Sequence, residues 1–341
     1  MTRDLPPLRL GEERVSPDEA RIAEETTALV KRGLIEIPPG DLVKRDAHPK
    51  AHGCVRADFV ISADVPNRFR HGIFARTTTY PAWIRFSNSA KGPDTKPDVR
   101  GMAIKVCQVF GEKILDDEKA TQDFIFISDP VMPVGEPGEY LAFFKTVVGK
   151  NPWHALVGVK PSHLLRAASV LRRILALKAE SPLSIRYWST TPYKLGEGAV
   201  KYSVKPGASA TTASPSTRGP HYLRQALVAA LDKDDASFDF MVQVQTDPVS
   251  MPVEDCATEW KESESPFIKV ATITIPAQQF SSPEQEAFGE NLSFNPWHSL
   301  AAHRPLGGIN RIRRVIYEAI TSYRHERNNA PRLEPTGDER L

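Results

Sequence analysis

Cysteine is scarce. The chain carries three in 341 residues, Cys54, Cys107 and Cys256, far apart and never in a C-x-x-C pair. Such an odd, scattered set argues against a disulfide framework or a cysteine zinc site, and fits a reducing compartment such as the cytoplasm. Long apolar runs are missing too. No window approaches the ~18 apolar residues of a membrane-spanning helix. The N-terminus, MTRDLPPLRLGEERV, lacks the apolar stretch of a secretory leader, so none is expected. Neither sign of charge dominates: 44 Lys plus Arg oppose 42 Asp plus Glu, a formal net charge of +2. That balance supplies no global attraction to nucleic acid or to an anionic membrane. No Gly-rich phosphate loop of either standard spacing occurs, no serine sits in a G-x-S-x-G elbow, and His-rich zinc spacing is missing.

What remains is an ordinary globular composition, 40% apolar and 25% charged, with 29 prolines grouped between apolar runs. Many short elements joined by turns are expected. Residues 1–15 read as an irregular arm. Ser16-Pro17 caps a helix over 16–37 with an apolar stripe of Ile22, Leu29, Val30 and Leu34. The pattern then turns to short runs of β type at 55–61, 83–86, 101–106, 123–127, 185–188, 200–204, 238–245 and 267–275. Several alternate in polarity, as half-buried antiparallel strands do. Eight strands are enough to close a barrel and abolish exposed edges. Helical sequence interrupts them at about 138–180, where Leu164, Ala168, Leu171 and Leu175 fall near one face, and again at HYLRQALVAALDK. Residues 207–219 are small and polar, a surface loop. A last helix covers about 307–326, and a polar tail expected to be disordered ends the chain. The resulting division is an arm and helix over 1–39, a barrel domain over 40–326, and a tail over 327–341.

The last helix carries Arg313, Tyr317 and Arg324 at i, i+4 and i+11. At ~100° per residue their side chains leave the axis within roughly 40° of one another, with Ile320 on the same side. Two readings stand open: a solvated basic face with the tyrosine at its edge, or a buried stripe facing an anion. On the second, the Arg one turn away favours the phenolate form of the tyrosine, a hard ligand for ferric iron. The other Arg could hold a carboxylate bidentately. Arg45-Asp46-Ala47-His48-Pro49-Lys50-Ala51-His52 precedes the first strand. A histidine there can point toward the barrel and shuttle protons, His48 first and His52 as its competitor. Arg85 stands inside the apolar run Trp83-Ile84-Arg85-Phe86-Ser87, costly unless it is paired.

Taken in order, these segments resemble the catalase superfamily over about residues 40–325. "RDAHPKAHG" is similar to that family's R-x-x-H-x-K-G-x-G, "WIRFSN" to V-R-F-S, "DVRGMAIK" to D-P-R-G-F-A-x-K, and "FIFISDP" to F-F-I-R-D-x. Arg313-x-x-x-Tyr317 with Arg324 seven residues on matches the family's R-x-x-x-Y-x6-R. The resemblance implies an α+β fold, an eight-stranded antiparallel β-barrel (the catalase core) with surrounding helices. It implies haem b with Tyr317 as axial tyrosinate on ferric iron. Arg313 would keep Tyr317 ionised, Arg45, Arg85 and Arg324 would neutralise the propionates, His48 would be the distal acid–base, and Ser87 would lie beside it. Thr121 falls where the family has a distal Asn, so it is the expected catalytic neighbour of His48 and a departure from the pattern. Ala51 replaces the Gly after the motif's Lys. Thr121 favours a peroxidase cycle, drawing on peroxide and a small-molecule electron donor, over dioxygen release. The resemblance is to the minimal catalase-related haem peroxidases and implies a homodimer or homotetramer. A fatty-acid hydroperoxide isomerase or lyase on the same scaffold is the alternative. There a Thr tends to precede the distal His, and here that residue is Ala47. The second alternative is a non-catalytic haem or lipid carrier.

Overall fold

The structure, a computed structural model, describes residues 8–149, 161–207 and 218–341. The start of the expected arm, the middle of the expected 138–180 helical stretch and most of the 207–219 loop lie outside the described residues. All eight β-type runs become strands of one closed antiparallel barrel. β1 (Lys50–Ile61), β2 (Thr79–Asn88), β3 (Arg100–Cys107) and β4 (Thr121–Ile127) form a meander. β5 (Tyr187–Trp188) bridges β4 to β7 (Gly198–Pro206); β8 (Ala236–Val244) and β9 (Ile268–Ile275) then lead back to β1. A ninth strand absent from the sequence reading, β6 (Tyr193–Leu195), is added beside β7. Its three residues are too short to show a period.

Strand alternation decides what lies inside. Val55, Ala57, Phe59 and Ile61 of β1 point inward, while Arg56 and Asp58 face out. The interior is filled by rings: Phe59 meets Phe240 at 5.0 Å and Phe124 meets Tyr202 at 5.2 Å, both edge-on. Each such pair adds about 0.5–1.5 kcal/mol beyond its burial. A barrel so packed leaves ligand space to its outer wall.

Six helices among the described residues surround it. α1 (Glu19–Ile35) follows Ser16-Pro17 and buries Ile22, Val30 and Leu34 of the expected stripe. α2 (Pro137–Gly149) and α3 (Pro161–Ala176) follow β4. On α3 the expected apolar face turns outward, with Leu171 and Leu175 exposed and Val170 buried instead. α4 (Tyr222–Leu231) precedes β8, and α5 (Pro283–Asn291) precedes α6 (Gly308–Arg327). Ser282 caps α5 by accepting from the Gln285 amide, and Pro283 opens its first turn. α6 starts at Gly307, whose φ of 86° favours glycine, and ends on Arg324, His325 and Arg327, which suit the negative end of the helix dipole. Arg311 of α6 ties this end of the fold together through Glu19 of α1, at 2.7 Å, and Glu254, at 2.9 Å. No described helix is long and apolar enough to cross a membrane.

The tail departs from the expected disorder. Glu339 accepts from Trp83 Nε1 at 2.9 Å, and Arg332 pairs with Asp117 at 3.1 Å. Its partners, Trp83 and Asp117, lie far away in the chain, where no local pattern shows them.

Candidate active site

Two cavities meet between α6 and the barrel wall. One, of about 80 Å³, is lined on its apolar side by Val30, Phe144, Ile316 and Ile320. The other, of about 80 Å³, reaches His48, Ser87 and Gly101. Arg45, Ala47, Phe294 and Tyr317 border both, so the two are halves of one slot with Tyr317 between them.

Helical spacing delivers the tyrosine as expected. Arg313 Nη2 donates to Tyr317 Oη at 2.9 Å, and the guanidinium lies 5.0 Å from the ring centroid. Arg313 Nη1 is held by Asn310 Oδ1 at 3.2 Å. Burial works to lower the Arg313 pKa, but the tyrosines around it, Tyr317 first, hold it above the ordinary arginine value. Tyr140 also lines the slot, and burial keeps its phenol well above the ordinary range, hence neutral.

The opposite wall is built by register. Ser87 pairs with Gly101 and Gly101 with Ile127, while Arg85 pairs with Ala103. Period-two alternation puts Arg85, Ser87, Gly101 and Ala103 on one face of the sheet. His48 packs onto that face from the turn before β1. Its φ of 56° is left-handed, a conformation that costs a residue with a Cβ about 1–2 kcal/mol. Arg85 Nη1 holds the turn by donating to the His48 carbonyl at 3.0 Å. His48 Nδ1 lies 3.3 Å from Ser87 Oγ. Burial, then the charges of Arg85 and Arg313, pull the His48 pKa down to about 4 against a weaker opposite pull from Asp98. His48 is therefore neutral at pH 7 and able to accept a proton. His52 goes elsewhere: the ladder shifts register between Ala51 and Gly53, and the bulged His52 turns to Asn88 Oδ1 at 2.7 Å.

Arg45, Arg85 and Arg324 converge at one edge on a carboxylate the sequence reading overlooked. Glu290 Oε1 lies 3.3 Å from Arg45 Nη1 and 3.3 Å from Arg324 Nη1, and its Oε2 lies 3.9 Å from Arg85 Nη2. Arg45 and Arg324 also donate to the Leu292 carbonyl. Burial and the Arg45 charge press the pKa values of Arg85 and Arg324 down to about 9, with Glu290 opposing. Glu290 neutralises charge without using up the donors: Arg45 Nη1, Arg85 Nε and Arg85 Nη2 are buried with no hydrogen-bond partner. Three guanidiniums against one carboxylate leave two positive charges over.

Thr121 is not brought to this slot. It pairs with Cys107, six residues along β3 from Gly101, which is about 20 Å at strand rise. Its hydroxyl donates to Glu118 Oε2 at 2.5 Å. It belongs to a separate buried ionic cluster. There Lys105 contacts Glu118 and Asp123, and His298 lies 2.9 Å from both Asp123 and Asp117. Burial would lower the His298 pKa, yet the two aspartates raise it to about 9. The geometry removes Thr121 from the expected catalytic set.

No protein-family model matches the chain, and no curated protein matches it in sequence. Among solved structures it is similar to a fungal catalase, at 15% identity and a TM-score of 0.60, covering 99% of this chain and 68% of that one. A bacterial catalase gives 16% identity and 0.60, covering 96% and 64%. Catalase A from Saccharomyces cerevisiae gives 16% and 0.61, covering 99% and 69%. The chain thus spans about two thirds of the length of these neighbours. At such identity the likeness is one of fold, and the fold is that of catalases.

Proposed function

We propose that the chain is a haem-dependent peroxidase that reduces hydrogen peroxide or organic hydroperoxides with a small-molecule donor, with residual catalase activity. The observation that carries the reading is the slot: a tyrosine backed by an arginine on one wall, a neutral histidine on the other, and an arginine cluster at the edge. The residues present fit the group. The two surplus charges and the buried N–H groups of Arg45 and Arg85 without partners suit two carboxylates. Tyr317, with Arg313 at its oxygen, suits ferric iron as a tyrosinate. Bound ferric haem b would supply the redox chemistry that cleaves the peroxide O–O bond.

The chain's own residues do the rest. Arg313 donates to the Tyr317 oxygen and would favour negative charge there with iron bound, and Asn310 fixes the angle of Arg313. With Nδ1 turned to Ser87, His48 uses Nε2 to take the peroxide's proton and return it to the leaving oxygen. Such acid–base help is typically worth ~10²–10⁴-fold. Burial and the flanking arginines disfavour the imidazolium, so the proton is passed on, not stored. Phe294, Ala103 and Ile125 keep that wall dry. Among the residues lining the His48 half there is no Asn or Gln. That absence supports reduction by an external donor over dioxygen release. Ala47, lining the same half, offers no hydroxyl for hydroperoxide rearrangement. Three buried, unpaired thiols fit a cytoplasmic protein, and a homo-oligomer is part of this reading.

The test is the absorption spectrum of haem-supplied protein followed by a rapid mix with hydrogen peroxide. A high-spin ferric tyrosinate spectrum that changes on mixing is expected. Tyr317→Phe should lose the tyrosinate charge-transfer absorption, and an unchanged spectrum would remove the axial assignment. Response to lipid hydroperoxide alone, with donor omitted, would favour the rearranging enzyme.

A further inference from the structure

An open cavity beside the slot has no part in the mechanism above. It lies among residues 42–54, α4 and α5 and holds about 540 Å³, within the ~300–1,000 Å³ of ordinary small-ligand sites. Arg85 and Glu290 border it, so it adjoins the arginine edge of the slot. Its charged lining is Lys44, Lys50, Arg85 and Arg224 against Glu286 and Glu290, four cations to two carboxylates. Some of this charge is paired: Lys50 with Asp94, Arg224 with Glu286. The two ends remain. Lys44 and His221 are exposed at the mouth. At the floor lies Arg85, 3% exposed and 3.9 Å from Glu290. A cleft with cations at mouth and floor and a low-dielectric wall concentrates small anions. The Phe280 ring supplies an apolar face for a carbon skeleton.

We propose that this cavity is a second ligand site, for a small organic anion that serves as the electron donor, its acid group held by Lys44 and His221. The donor role rests on the peroxidase reading; the anion site does not. Arg85 lines both this cavity and the slot. The reaction balances as two donors each losing one proton and one electron, while the peroxide O–O bond breaks and takes up both electrons and both protons to leave two waters.

Ascorbate, an anion at pH 7, is the probe, and guaiacol, neutral and aromatic, the comparison. Titration calorimetry of the haem-supplied protein without peroxide should show saturable ascorbate binding. Lys44→Glu and His221→Glu, both at exposed positions, should each weaken it about tenfold by placing a negative charge at the mouth. They should raise the ascorbate KM by the same factor relative to the guaiacol KM, and thermal melts check folding. Absence of saturable binding, or binding that ignores both variants, overturns the site. Binding that responds to the variants, in a protein that oxidises neither donor, overturns the peroxidase reading and supports the anion site by itself.

Discussion

Gly101→Ala is the sharpest probe of His48, because the added atom has one place to go. A Cβ at Gly101 would stand 2.4 Å from His48 Nδ1, 2.6 Å from Cε1 and 2.9 Å from Ser87 Oγ, where ordinary contact begins at 3.4 Å. The imidazole must retreat by about 1 Å, the difference between those contacts. The glycine is not in the left-handed region, so the alanine is accepted by the backbone itself. The damage is therefore local. A 1 Å misplacement of a reacting group costs on the order of 10²-fold, and the overpacking about 1–3 kcal/mol. The expected variant folds, takes up haem with a tyrosinate spectrum like that of the parent, and loses about two orders of magnitude in kcat/KM for hydrogen peroxide. Steady-state guaiacol oxidation, normalised to haem content, reads it. A variant within threefold of the parent would show that His48 need not sit where it does, and the acid–base assignment would fail.

Glu290→Gln should destabilise the protein by about 3 kcal/mol, because it leaves three buried guanidiniums without their shared carboxylate; an unchanged urea midpoint would show that the arginines find compensation elsewhere. Thr121→Val should cost about 1–2 kcal/mol through the lost donation to Glu118 and leave peroxide kinetics within twofold; a large kinetic loss would return Thr121 to the slot. Thermal stability should peak near pH 6.5. Folded pKa values of about 4 for His48 and His52 lie below the unfolded 6.5, so the unfolded state binds more protons between those values and stability falls as pH drops through that window. His298, at about 9, does the opposite: its contribution is complete below pH 6.5 and is lost as pH rises to about 9. Melting curves from pH 4 to 10 measure both limbs, and an alkaline limb that His298→Asn fails to flatten would contradict the assignment.

The parts of the fold legible in the sequence were those with a period. Period-two runs marked the barrel strands, and the apolar stripe of Ile22, Val30 and Leu34 marked α1, whose N-cap is Asp18 and not the expected Ser16. The 3.6-residue period of α6 placed Arg313 against Tyr317, a contact the structure makes at 2.9 Å. What was missed depends on distance in sequence. α5 did carry a signal, Ser282-Pro283 with acids in the first turn, but nine residues of weak amphipathicity did not stand out. With α5 went Glu290, and with Glu290 the reason three arginines can share one edge. Two further absences were inherited from motif order. Motif order sets Thr121 just before FIFISDP, yet position beside a strand is set by register: four pairs separate Thr121 from Ile125, which with Phe126 lines the slot. The cluster of Lys105, Asp123 and His298 joins residues as much as 193 positions apart in chain number, and no local pattern announces it.

Charge explains why the overlooked carboxylate matters more than the overlooked strand. β6 adds three residues to a barrel that closes without them. Glu290 changes the electrostatics of the site from three unopposed buried cations, which repel one another, to a surplus of two. A fully neutralised cluster would have no pull on a dianion. Three bare guanidiniums would drive down the pKa values that Arg85 and Arg324 already show depressed to about 9. One carboxylate placed at ion-pair distance, with several N–H groups left unbonded, keeps the arginines charged and still able to bind. That is the charge state a slot needs to hold a ligand with two acid groups at one end and a metal at the middle.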